Sequence, residues 1–248
     1  MRTSLLAVPF LTAACVFPNY KAVKVVELSV PAERLTTLDC ESHNCDILVN
    51  GDPAVTEIAL RAEISVRGFS QAEADANLHL LEIGREDRGD TLRLYGKYPA
   101  GELNNRSPSF KFTMKVPQRL ALKLESHNGG IQANEVTGAT TILTHNGDIG
   151  GALHARHVAA TTHNGDIHLR LAGAGDLDGE VRSHNGDIVL AMAEGVGTRI
   201  KATTHNGKIT PPKQVADAVV GKRLLECRIG DGKGTLVVDT HNGDVVIQ

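Results

Sequence analysis

A histidine, an asparagine and an aspartate close together in sequence can do acid–base or metal chemistry, and this chain carries that set repeatedly. The string is Thr162-His163-Asn164-Gly165-Asp166-Ile167. With small changes it occurs seven times, starting at Ser42, Ser126, Thr144, Thr162, Ser183, Thr204 and Thr240. Cys45 stands once for the glycine, Gly130 and Lys208 for the aspartate, and Val245 for the last isoleucine. A catalytic site needs its groups once, whereas a stacked fold needs the same corner on every coil.

The chemistry that remains open to the repeat is metal binding or a pH response. His127, His145, His163, His184 and His205, one coil apart, can share Zn2+ or Cu2+ at metal–nitrogen distances of about 2.0–2.1 Å. Asp46, Asp148, Asp166, Asp187 and Asp244 lie three residues further on and can add oxygen. A column gives a line of ligands, while a tetrahedral site needs convergence. The expectation is therefore no cofactor, with Zn or Cu on the stacked histidines as the alternative. Two charges about 4.8 Å apart repel by about 0.9 kcal/mol in water. A column that is mostly neutral at pH 7 would charge and strain the stack below about pH 5.5.

Other chemistries are poorly represented. Residues 230–234 are glycine-rich but lack the spacing and the Lys-Ser/Thr ending of a phosphate cradle, so they read as a turn. His154 and His157 flank Arg156 in a return turn and read as solvated. No Gly-x-Ser-x-Gly occurs and no Ser/His/Asp set stands apart from the repeats, so the chain reads as a non-enzyme. The formal net charge is -3, with no basic run interleaved with aromatics, which excludes a nucleic-acid partner.

The elements that position the histidines follow from aligning the copies. Three residues before the histidine stand Cys40, Leu124, Ile142, Ala160, Val181, Ala202 and Val238; five before stand Leu38, Leu122, Thr140, Val158, Gly179, Ile200 and Leu236. Four residues after it come Ile47, Ile131, Ile149, Ile167, Ile188, Ile209 and Val245. Strand alternation puts these residues and the Ser/Thr inside and the histidine outside. The step from inward Ser/Thr to inward Ile is odd, so a corner must absorb one residue. Its residues are Asn128, Gly129, Asn146, Gly147, Asn164, Gly165, Asn185, Gly186, Asn206, Gly207, Asn242 and Gly243, types that tolerate positive φ. Stacked coils place Asn on Asn, where amides can bond along the stack. The fold class is mainly β: a β-solenoid of 18–21-residue coils over residues 118–248.

Histidines 127, 145, 163, 184 and 205 are spaced by 18, 18, 21 and 21 residues, and His241 follows after 36. Since 36 is twice 18, the gap reads as a degenerate coil with a lost corner. No aromatic residue occurs after Phe112, so the core there must be thin and aliphatic.

Residues 23–117 read as a β-rich, antiparallel region ahead of the solenoid. Strands are expected at 24–30 and 56–67, around Leu92 and Leu94, and at 110–116, all alternating. Ser70-Gln71-Ala72-Glu73 is a capping box that opens a helix over about 70–83, with Ala74, Leu78 and Leu81 inward and Gly84 as the stop.

Residues 1–14 read as a signal peptide: Arg2 leads an apolar stretch too short to span a bilayer. The sequence Leu11-Thr12-Ala13-Ala14-Cys15 resembles a bacterial lipobox, with Thr12 where an aliphatic residue is preferred. It implies lipidation at Cys15, a tether over 15–22 and a membrane partner through the acyl chains. The localisation expected is the bacterial envelope, at the outer membrane or cell surface; the alternative is cleavage after Ala14 and a secreted or periplasmic soluble protein. The odd set Cys40, Cys45 and Cys227 allows one disulfide, Cys40–Cys45, or else buried thiols, since Cys40 falls in an apolar column.

With its motifs placed, the chain resembles the bacterial putative-adhesin family of β-strand-repeat envelope proteins, a domain of unknown function. The resemblance rests on the Asn-Gly-Asp-Ile corners from Ser126 to Val245, on the string VPQRLALKLESHNGGI at 116–131 and on GDGKGTLVVDTHNGDV at 230–245. It covers about residues 30–248 and implies an exported β-solenoid with no catalytic residues, a cell-envelope role and an unidentified envelope or surface partner. Histidine in every corner departs from the family's variable residue there. The function expected is a non-enzymatic envelope lipoprotein for adhesion, scaffolding or envelope interaction. The alternative is a metal- or pH-responsive envelope protein that uses the histidine column.

Overall fold

The computed structural model describes residues 17–248 except residues 100, 102, 104–105 and 214. The signal segment and Cys15 lie outside the described residues. The leading part of the chain holds β1 (Tyr20–Pro31), β2 (Thr37–Asp52), β3 (Glu57–Gly68), α1 (Gln71–His79), β4 (Glu82–Arg88), β5 (Thr91–Lys97) and β6 (Ser109–Pro117). Next come β7 (Ala121–Asn128), β8 (Ile131–Val136), β9 (Thr140–Asn146), β10 (Ile149–Leu153), β11 (His157–Asn164), β12 (Ile167–Leu171) and β13 (Gly175–Asp176). The chain finishes with β14 (Asp178–Asn185), β15 (Ile188–Met192), β16 (Val196–Asn206), β17 (Ile209–Thr210), β18 (Ala216–Val220), β19 (Leu224–Ile229), β20 (Thr235–Asn242) and β21 (Val245–Ile247).

Each coil is a strand ending at the corner asparagine and a second strand starting at the following Ile or Val. The first strands form one parallel ladder in the order β2, β7, β9, β11, β14, β20, β16. The second strands form another, β2, β8, β10, β12, β15, β21, β17. Only β2 runs through its corner and belongs to both. The alternation works as read from the sequence: the columns three residues before and four after each histidine are buried, apart from half-buried Ile209 on the short strand β17. These columns join in one core cluster, so the fold is a β-solenoid with a thin aliphatic interior.

The leading region is stitched into this stack, with no seam at residue 117. Its antiparallel pairs are β1 with β3, β3 with β6, and β4 with β5. Strands β5 and β6 then pair in parallel with β2, one on each ladder. The helix is shorter than the capping box and Gly84 imply. Ser70 accepts from the Glu73 amide at 3.2 Å and Glu73 reaches back to the Phe69 amide at 2.8 Å, but the helix ends at His79. Gly84 lies inside β4, where a Cβ would sit 2.2 Å from the ring of Tyr95.

The C-terminal part also differs from the arithmetic of the spacing. The 36-residue gap holds no lost coil. It is filled by β18 and β19, an antiparallel pair laid on the outer side of β16. The chain then turns back, and β20 inserts between β14 and β16 while β21 inserts between β15 and β17. Spatial order therefore departs from chain order: the coil of His241 lies between those of His184 and His205.

Candidate functional site: a histidine ladder along the corner

Every residue of the repeated string except the histidine has a partner inside the stack. The Ser/Thr hydroxyl donates to the corner carbonyl of the adjacent coil: Ser126 to Cys45 at 2.8 Å, Thr144 to Gly129 at 3.0 Å, Thr162 to Gly147 at 2.9 Å, and Thr204 to Gly243 at 2.9 Å. The asparagines form an unbroken amide ladder. Asn128 donates to Asn44, Asn146 to Asn128, Asn164 to Asn146, Asn185 to Asn164, Asn242 to Asn185 and Asn206 to Asn242, all at 2.7–2.8 Å. At its end Asn44 donates to the Pro108 carbonyl at 3.2 Å, and the Tyr98 hydroxyl accepts from the Asn44 amide at 3.1 Å. That cap comes from a loop that sequence spacing does not connect to the repeat.

The corner glycines all serve close approach, and the positive φ expected there occurs at Gly129 (150°) and Gly186 (155°). A Cβ on Gly165 would lie 2.1 Å from the Gly147 carbonyl oxygen, and one on Gly207 would lie 1.9 Å from that of Gly243. None of the corner asparagines has a positive φ, nor do Gly147, Gly165, Gly207 or Gly243. The aspartates are also committed. Asp148 accepts from the Asp166 amide, Asp166 from Asp187, and Asp244 from Lys208, each at 2.8 Å; Asp187 accepts from Asp244 at 2.7 Å. These carboxylates cover the backbone donor of the adjacent coil, a role that residue type alone does not disclose.

The histidines are left over. His43, His127, His145, His163, His184, His241 and His205 stack in that order with ring centroids 4.6–5.0 Å apart and interplanar angles of 1–7°. All seven are exposed. Beside them runs a groove of about 550 Å³. His127, His145, His163, His184 and His241 form one wall. Glu125, Leu143, Thr161, Arg182 and Asp239, each two residues before its histidine, form the other. Arg182 is paired with Glu180 at 2.6 Å, and Asp239 accepts a hydrogen bond from Thr203. Leu143, 41 % exposed, adds an apolar step midway.

Parallel rings aim their in-plane lone pairs side by side, so the column as built does not converge on one ion. Among the described residues no group of three or more His, Cys, Asp and Glu side chains is placed to hold a metal. Of the remaining histidines, His154 pairs with Glu135 at 3.0 Å, and His157 begins β11 on the surface. In place of the disulfide weighed between Cys40 and Cys45, the structure has two free, buried thiols, with Cys227 also free. Burial pushes the Cys45 thiol up to about 12, only partly offset by its bond to the Phe112 backbone, and burial likewise raises Cys40.

The sequence profile of the Toastrack DUF4097 domain matches residues 11–248. The chain belongs to the Toastrack DUF4097 family. Among solved structures, a putative cell adhesion protein from Clostridium sporogenes superposes with a TM-score of 0.53 at 12% identity, covering 91% of this chain and 99% of that one. A putative adhesin from Bacteroides fragilis gives a TM-score of 0.39 at 13% identity, over 91% of this chain and 97% of that one. At such identity the Clostridium sporogenes likeness speaks for the fold alone. No curated protein matches the chain. No helix among the described residues is long and apolar enough to cross a membrane.

Proposed function

We propose that this Toastrack protein is a non-enzymatic, lipid-anchored envelope protein that binds a surface or envelope partner through the histidine-lined groove. The observation that carries this reading is the division of labour within the motif. Ser/Thr, Asn, Gly and Asp are consumed by the stack, while the histidines and the residues two before them face solvent along a groove about 550 Å³ in volume. The hydroxyls of Ser126 and Ser183 that border the groove are buried and bonded to backbone carbonyls, which leaves them poor nucleophiles. The adhesion-related description of the Clostridium sporogenes protein, the lipobox-like sequence at Cys15 and the rigid, continuous ladder all suit a display role at the envelope.

The test has two parts. Replacing Cys15 by Ser in the full-length chain should move the protein from the membrane fraction to the soluble fraction; an unchanged distribution would remove the anchor from the reading. Pull-downs from envelope extracts should recover a partner with the native groove and lose it when His145, His163 and His184 are changed to Ala. A partner retained equally by both proteins would place binding elsewhere on the solenoid.

A further inference from the structure

We propose that the ladder is a multivalent site for borderline divalent ions such as Zn2+, each ion held by two histidines on adjacent coils. The proposal concerns metal alone and stands or falls separately from the partner reading. It rests on three features of the ladder. Among the described residues the column imidazoles have no hydrogen-bond or ion-pair partner, which leaves both ring nitrogens of each uncommitted there. The rings are exposed and can swivel about their side-chain torsions. Their spacing is the third feature: two nitrogens on one tetrahedral Zn2+ lie about 3.3–3.4 Å apart when the metal–nitrogen distance is about 2.0–2.1 Å. Ring centroids 4.6–5.0 Å apart reach that separation when neighbouring rings tilt toward each other. Histidines two rungs apart, at twice that spacing, do not.

The site is consequently a two-histidine one. The absence of any three-residue cluster among the described residues leaves the other coordination positions to water. Seven rungs, two to an ion, hold three ions with one rung over. Hard cations such as Ca2+ prefer oxygen ligands and are not expected to bind.

Adjacency, rather than histidine number, is the variable to test. Two triple variants each leave four column histidines. Replacing His127, His163 and His241 by Asn leaves His43, His145, His184 and His205, with no two on neighbouring coils. Replacing His184, His241 and His205 by Asn leaves His43, His127, His145 and His163 contiguous. All of these positions are exposed, and circular dichroism checks that both variants fold. In calorimetric titration of the purified chain with Zn2+, the native protein should bind about three ions and the contiguous variant about two. The alternating variant should bind about tenfold more weakly or worse. Equal affinities in the two variants would show single-imidazole, adventitious binding and overturn the proposal. So would a native protein that shows no saturable uptake.

Discussion

At the scale of single residues, the repeat assigns one task per position, and the tasks differ in how much substitution they tolerate. The glycine position is the strictest: at Gly165 any side chain meets the Gly147 carbonyl 2.1 Å away. Gly165→Ala should lower stability by about 1–3 kcal/mol, the usual cost of overpacking, and more if the rung parts; the midpoint of urea unfolding reports it. Cys45 occupies the same corner position without that penalty because its side chain is buried against the strand that carries Phe110 and Phe112. Its thiol gives a pH prediction. The ordinary value is 9.0 and the folded value about 12, so the folded state holds the proton more tightly. The stabilisation is complete below pH 9 and is lost as pH rises from 9 toward about 12. The slope from this one thiol approaches about 1.4 kcal/mol per pH unit within that window. Cys45→Ala should flatten the fall measured between pH 8 and pH 11, with Cys40, Cys227 and Tyr98, all raised by burial, supplying what remains. The histidine lies at the other extreme, since nothing in the stack depends on its hydrogen bonding.

At the scale of elements, the strands and their buried faces were legible in the sequence because alternation reports burial directly, as β3 and β6 show. Helix α1 was legible at its start but not at its end. Ser70 and Glu73 form the cap that residue types announce, while the stop fell earlier than Gly84 suggested. A glycine accommodating the Tyr95 ring looks, in sequence, like a helix terminator. Ser70→Ala should cost about 1 kcal/mol and loosen α1 from β1 and β3, seen as faster amide exchange there. The aspartate ladder was illegible for a different reason. Its partner is a backbone amide one coil away, and backbone groups carry no sequence signature. The groove itself was half legible: the histidine column followed from spacing, but the opposite wall, with Glu125, Leu143 and Arg182, required the coil geometry.

At the scale of the whole molecule, the decisive feature is the interleaving of the last coil. Sequence could not reveal it, because every rung from Ser126 onward presents the same Asn, Gly and Ser/Thr, so β20 fits between any two of these coils equally well on residue type. Deleting residues 235–248 should leave β14 and β16 unpaired on facing edges and remove Leu236, Val238, Val245 and Ile247 from the core. The truncated chain is expected to fail to give a sharp thermal transition, and a peptide spanning residues 230–248 added in trans should restore it. A truncated chain that melts cooperatively by itself would show that the slot closes without its occupant. The placement also bears on biogenesis. A chain that emerges amino end first displays two raw β-edges until residues 235–248 arrive, and those residues act as the keystone of an arch already standing. Order of assembly is thereby written into the fold, and only a copy with this coil seated offers the unbroken row of imidazoles.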